Sequence, residues 1–126
     1  MIDGLPVVAV VDDDLRVLES LKDLLESAGY RVCTFAAAAA LLASDYSLID
    51  CLITDIGMPG LDGFQLLERM KQMEPGLPVF LITGRHEIAD QERAAATTIS
   101  GFFRKPFDAQ RLLSDVSKAL VKVDGE

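Results

Sequence analysis

Short apolar runs alternate along this chain with stretches in which leucine, valine and methionine return every three or four residues. Val7-Val8-Ala9-Val10-Val11, Cys51-Leu52-Ile53-Thr54, Pro78-Val79-Phe80-Leu81-Ile82 and Gly101-Phe102-Phe103-Arg104 read as strands, and Arg31 to Phe35 as a further short one. After the first strand, Leu18, Leu21, Leu25 and Ala28 recur at helical spacing, with Val17 and Leu24 widening the stripe. Gly29 stands where a C′ glycine ends a helix. Strands alternating with amphipathic helices predict βαβ units and a mainly parallel sheet with helices on both faces.

The remaining helices are read in the same way. The five-alanine run Ala36 to Ala40, leading into Leu41-Leu42-Ala43, predicts a small-residue helix packed close to the sheet. Asp62 is placed to cap a helix carrying Phe64, Leu67, Met70 and Met73, both methionines as core filler, with Pro75-Gly76 marking its end. Glu87 to Ala96 carries the faintest helical pattern, and Thr97-Thr98-Ile99 follow with poor helix propensity. The last helix starts near Asp108 and shows Leu112, Leu113, Val116 and Leu120 on one side. Val123 to Glu126 is expected to fray. With 126 residues and no linker or repeat, residues 1–126 are expected to form one domain.

Charge changes the picture. The formal net charge of −8 argues against a broad nucleic-acid or anionic-membrane surface. Part of the excess is local, because Asp12, Asp13, Asp14, Asp55 and Asp62 all fall near strand ends. Like charges packed together cost energy unless a cation neutralises them, so a metal is implied. No basic leader opens the sequence and no apolar stretch reaches membrane-spanning length, so a cytoplasmic location is expected. Cys33 and Cys51 lie in strand-like runs and are expected as buried free thiols; with the lone His86, a solvated side chain, they are too few for a zinc site.

Four of the predicted strands end in groups suited to phosphoryl transfer. In an open α/β sheet, ligands bind at the carboxyl ends of the strands. Asp55 is the candidate nucleophile, since a carboxylate can attack phosphorus and hold the group as an acyl phosphate. Asp13 and Asp55 would supply hard oxygen ligands to Mg²⁺, with Asp12 holding one of its waters. Lys105 is the second cation, reaching Asp55 and then a phosphoryl oxygen as a point charge. Thr83 offers a hydroxyl donor, with Gly84 leaving room beside it. Asp14 is better read as a helix cap, and Asp62 as a turn or cap residue.

Four motifs in order carry a resemblance over nearly the whole chain: Val11-Asp12-Asp13, Thr54-Asp55-Ile56-Gly57-Met58-Pro59 with Asp62-Gly63, Ile82-Thr83-Gly84, and Lys105-Pro106-Phe107. The chain resembles a receiver domain of bacterial two-component response regulators, of the chemotaxis-regulator type. The resemblance implies a single flavodoxin-like (βα)5 domain with strand order 2-1-3-4-5 and no effector domain within these residues. It implies that Asp55 is the phosphoacceptor, charged by a histidine kinase or a histidine phosphotransfer protein, and that Asp12 and Asp13 are the acidic pair. The Gly57 backbone carbonyl would be a further Mg²⁺ ligand, Thr83 the switch hydroxyl, Phe102 the switch aromatic, and Lys105-Pro106 a cis peptide bond. Such a domain is regulatory rather than a metabolic enzyme. It catalyses its own phosphorylation and hydrolysis, and phosphorylation changes the face used to bind a target or to form a homodimer.

Two departures accompany the resemblance. Thr98-Ile99 stands where receivers often carry Gly-Ala, and Gly57 and Arg85 occupy the two positions that tune dephosphorylation. Three other readings compete. A haloacid-dehalogenase-like phosphatase needs an acid two residues past the nucleophile, where this chain has Gly57. A flavodoxin-like cofactor binder needs a Gly/Ser/Thr-rich phosphate loop, where this chain has three aspartates. A degenerate receiver would have lost a site residue, and none is missing.

Overall fold

A computed structural model of the chain describes residues 4–84 and 88–124. In order, the elements are β1 (Val7–Val11), α1 (Leu15–Ser27), β2 (Arg31–Phe35), α2 (Ala38–Leu42), β3 (Cys51–Asp55), α3 (Gly63–Met73), β4 (Val79–Thr83), α4 (Ile88–Ala95), β5 (Gly101–Arg104) and α5 (Ala109–Asp124). A single 3₁₀ turn, Tyr46–Leu48, precedes β3.

The five strands form one parallel sheet in the order β2-β1-β3-β4-β5. β1, β3 and β4 are buried along their whole length, which is why their sequences run apolar without alternation. Leu18, Leu21 and Leu25 of α1 and Leu112, Val116 and Leu120 of α5 pack with Val8, Val10, Ile53, Phe80 and Ile82 on one face. Ala38 and Leu41 of α2, Leu66, Leu67 and Met70 of α3, and Ala94 of α4 pack with Ala9, Val11, Leu52 and Leu81 on the other. Each such leucine contributes about 1.5–3 kcal/mol by leaving water. Phe102 joins the second cluster and Phe103 the first, as alternation along β5 requires.

The chain winds from β1 out to β2, then returns past β1 to β3. That reversal leaves a crevice at the carboxyl ends of β1 and β3. The loops there are fixed by local chemistry. Asp14 caps α1, its side chain accepting from the Arg16 N–H at 3.0 Å. Asp62 accepts from the Gln65 N–H at 2.9 Å while the Gln65 side chain accepts from the Asp62 N–H at 2.9 Å, a reciprocal capping box that anchors the start of α3. Gly29 takes a φ of 96°, as its place after α1 demands.

Several sequence expectations are corrected. Cys33 is exposed, while Cys51 is the buried thiol. β2 is an edge strand, and α2, only five residues long, does not cover it. α2 starts at Ala38, with Ala36 and Ala37 outside it. Ala28 is the exposed C-cap of α1 rather than part of its buried stripe. Met70 is core, but Met73 is 37% exposed and its Sδ accepts from the Tyr46 hydroxyl at 3.0 Å. Arg85, His86 and Glu87 lie outside the described residues.

Candidate functional site

Every strand end at the crevice delivers one piece of chemistry. Asp12 follows β1 directly, fully buried, with its N–H donating to the Phe35 carbonyl at 3.1 Å. Its Oδ1 accepts the Asp14 N–H at 2.9 Å, which fixes the carboxylate plane. Asp13 beside it is exposed. Asp55 is the last residue of β3 and only 5% exposed. One carboxylate oxygen from each of Asp12, Asp13 and Asp55 lies within 4.8 Å of the others.

Lys105 closes the site from the far side. Its Nζ lies 2.8 Å from Asp12 Oδ2 and 3.5 Å from Asp55 Oδ1, so its nearer partner is Asp12 rather than Asp55. Its backbone N–H donates to the Thr83 carbonyl at 2.7 Å, and the Lys105–Pro106 peptide bond is cis. Thr83 ends β4, fully buried. Among the described residues, a Cβ at Gly84 would meet only the Lys105 Cδ, at 3.9 Å, so there is room beside Thr83. Gly57 sits exposed in the turn between β3 and α3, where Ile56 O accepts from both Met58 N and Gly63 N.

Burial above all, and then the charge of Asp12, push the Asp55 carboxyl up from 3.8 to about 6, although Lys105 and the Ile56 N–H pull the other way. Burial also works against the Lys105 ammonium, but hydrogen bonding to Asp12 and the charges of Asp55 and Asp12 outweigh it and raise its pKa. A cluster of three carboxylates, two of them paired with Lys105, is therefore short of positive charge when Asp55 ionises. Hard oxygen donors in excess of nearby cations suit Mg²⁺.

The sequence and the fold both have counterparts in known proteins. The sequence profile of the response regulator receiver domain matches residues 8–117. The chain belongs to that family. The receiver is 37% identical over 112 residues to the transcriptional regulatory protein FixJ of Bradyrhizobium diazoefficiens, a match covering 88% of this chain and 55% of FixJ. It is 36% identical over 117 residues to the C4-dicarboxylate transport transcriptional regulatory protein DctD of Rhizobium meliloti, covering 90% of this chain and 25% of DctD. A receiver domain crystal structure from Clostridium thermocellum superposes with a TM-score of 0.87 at 28% identity, covering 95% of this chain and 98% of that one. The receiver thus spans about half the length of FixJ and a quarter of DctD.

Asp12, Asp13, Asp55, Gly57, Thr83 and Lys105 all lie at this end of the sheet, while Arg85 falls outside the described residues. Phe102 stands apart, partly buried along β5 beside a groove of about 560 Å³ that Gln91, Ala94, Ile99, Arg104 and Arg111 also line. Ile99, where receivers often carry a smaller residue, is packed against the core on the α3/α4 side. Thr54 and Gly63, which in the sequence are members of motifs without a role of their own, lie against the Asp55 backbone. The one available signal for Thr54 was a hydroxyl inside an otherwise apolar run.

Lys105→Ala removes the cation from two buried carboxylates at once. Stranding a buried charge costs about 3–5 kcal/mol, so in chelator the variant is expected to unfold earlier by an amount of that order. Millimolar Mg²⁺ should recover part of the loss. Chemical denaturation with and without Mg²⁺ checks this, and equal stability of variant and wild type in chelator would make Lys105 a bystander.

Proposed function

We propose that the receiver accepts a phosphoryl group on Asp55 from the phosphohistidine of a histidine kinase or a histidine phosphotransfer protein. The observation that carries this reading is the buried Asp55 carboxylate, at the switch point, flanked by two further carboxylates and a lysine. An Asp55 carboxylate oxygen forms the new bond to phosphorus while the bond to the donor nitrogen breaks, and the imidazole leaves with a proton from solvent. The product is an acyl phosphate. Little covalent assistance is required, because positioning and charge neutralisation dominate phosphoryl transfer.

Asp13, Asp55 and the Gly57 carbonyl would hold Mg²⁺, with Asp12 on one of its waters, and the ion would neutralise charge between Asp55 and the incoming phosphoryl oxygens. Lys105 would hold a phosphoryl oxygen as its charge is drawn from Asp12 and Asp55. Thr83 would turn its hydroxyl to another, and Phe102 would follow into space that Thr83 vacates. Hydrolysis of the acyl phosphate by water resets the domain, so its catalysis is regulatory.

The test is an intact-mass spectrum after incubation with acetyl phosphate, with and without Mg²⁺. A single phosphoryl adduct, dependent on Mg²⁺ and removed by hydroxylamine, is expected. Mg²⁺ binding without any adduct, even with a stable beryllofluoride complex excluded, would count against the reading.

Output would run through the α4, β5 and α5 face, where the groove beside Phe102 lies. Phosphorylation would change that face and favour a homodimer or a downstream target. FixJ and DctD are named as transcriptional regulatory proteins, so a transcriptional output is the reading those relatives favour. Light scattering should show mass rising toward a dimer on phosphorylation. An unchanged mass would leave target binding as the only output.

A further inference from the structure

We propose that Thr54 and Gly63 are positioning residues for the phosphoacceptor, which fix the direction of the Asp55 carboxylate by locking the peptide group that follows it; this rests on Asp55 being that phosphoacceptor. The Asp55–Ile56 peptide is held at both ends. Its N–H, from Ile56, donates to the Ile82 carbonyl of β4 at 3.0 Å. Its carbonyl, from Asp55, accepts the Thr54 hydroxyl at 3.0 Å. The first residue of α3 then lies directly across it. A Cβ on Gly63 would overlap the Asp55 carbonyl oxygen and come to 2.8 Å from Ile56 Cα and 3.0 Å from the Asp55 carbonyl carbon. All three of these atoms are backbone, so nothing there can swing aside as a side-chain tip would.

Gly63 is also tied to the strand it abuts, since its N–H donates to the Ile56 carbonyl at 2.9 Å. The capping box between Asp62 and Gln65 holds that first turn of α3 rigid. The start of α3 is therefore a wall against which the Asp55 peptide is set, and only a glycine allows the approach. Thr54 supplies the other constraint. It is fully buried, its partners across the sheet are Val11 and Leu81, and valine would fill its space. What valine lacks is the hydroxyl that orients the Asp55 carbonyl. A carbonyl free to tilt rotates the backbone at Asp55, and with it the carboxylate that must lie in line with the phosphorus. An ångström of misplacement at a reacting group costs about 10²-fold in rate.

Two substitutions at position 54 separate positioning from packing. Thr54→Val keeps the volume and loses the hydroxyl; Thr54→Ser keeps the hydroxyl and leaves a methyl-sized gap. The experiment measures, on the full chain, thermal stability, the carbonyl ¹³C shift of Asp55, and the rate of adduct formation with acetyl phosphate at saturating Mg²⁺. Thr54→Val is expected to match or exceed Thr54→Ser in stability, yet to react about tenfold more slowly than wild type, with Thr54→Ser within about twofold. The Asp55 carbonyl shift should move in Thr54→Val and return in Thr54→Ser. Gly63→Ala should slow the reaction further. A Thr54→Val protein that reacts at the wild-type rate, or rates that follow stability across the series, overturns the proposal. A wild-type protein that forms no adduct instead removes the phosphoacceptor reading, and this proposal with it. That result is distinct from equal labelling of wild type and Thr54→Val.

Discussion

Asp55→Asn is expected to take no phosphoryl group from acetyl phosphate, its adduct falling below detection under conditions where the wild type is labelled. The amide is nearly the size of the carboxylate, so the strand end and its neighbours should stay in place. The Asp12–Lys105 pair at 2.8 Å survives the change untouched. What disappears is the anionic oxygen that attacks phosphorus, since an amide has no lone pair of comparable nucleophilicity. The measurement is intact mass with hydroxylamine treatment, which separates an acyl phosphate from phosphate on a hydroxyl. Adduct persisting at the wild-type level in Asp55→Asn would move the nucleophile elsewhere, and the exposed Asp13 carboxylate in the same cluster would be the first place to look.

The candidate site was legible in the sequence because its parts sit at strand ends, where polar side chains interrupt apolar runs. Asp12, Asp13, Asp55, Thr83 and Lys105 each follow or close an apolar run, and runs of that kind fix both the strand and its end. The order of the strands followed from resemblance, since alternation alone says only that the sheet is mainly parallel. What the sequence hid depends on neighbours distant along the chain. Cys33 sits in an apolar run like Cys51, but β2 lies at the sheet edge and α2 is too short to cover it. Met73 keeps the helical spacing of Met70, yet falls at the last position of α3 and meets the Tyr46 hydroxyl instead of the core. Lys105 reaches Asp55 as its position predicts, at 3.5 Å, but a closer carboxylate is Asp12, whose orientation is set by a hydrogen bond to its own loop. Gly63 is in the sequence only a member of a motif; the approach of α3 to the Asp55 carbonyl is what gives it a reason.

The second large effect is on stability against pH. Asp55 titrates near 3.8 in an unfolded chain and at about 6 in the folded, metal-free receiver. Below both values the carboxyl is protonated in either state and contributes nothing. As pH rises past the lower value, the unfolded chain releases its proton while the fold still retains one, so folding is progressively disfavoured. The penalty is complete above the higher value and amounts to about 2–3 kcal/mol, from about 1.4 kcal/mol per pKa unit. Lys105 stays charged across this window, because its pKa is raised from an already high value. Asp55→Asn has no such proton to lose. In chelator, wild type and Asp55→Asn should be about equally stable near pH 4, and Asp55→Asn the more stable by about 2–3 kcal/mol at pH 7.5. Mg²⁺ binds the ionised fold in preference to the unfolded chain, so adding it at pH 7.5 should narrow the gap as its concentration passes the dissociation constant. Urea denaturation of both proteins from pH 4 to 8, in chelator and in Mg²⁺, provides the comparison. A difference that does not change with pH would mean that the buried carboxylate is already neutralised by Lys105 alone. The site would then have no electrostatic need of a metal. The predicted pattern would instead make the strain of ionising Asp55 the force that draws a divalent cation into the receiver.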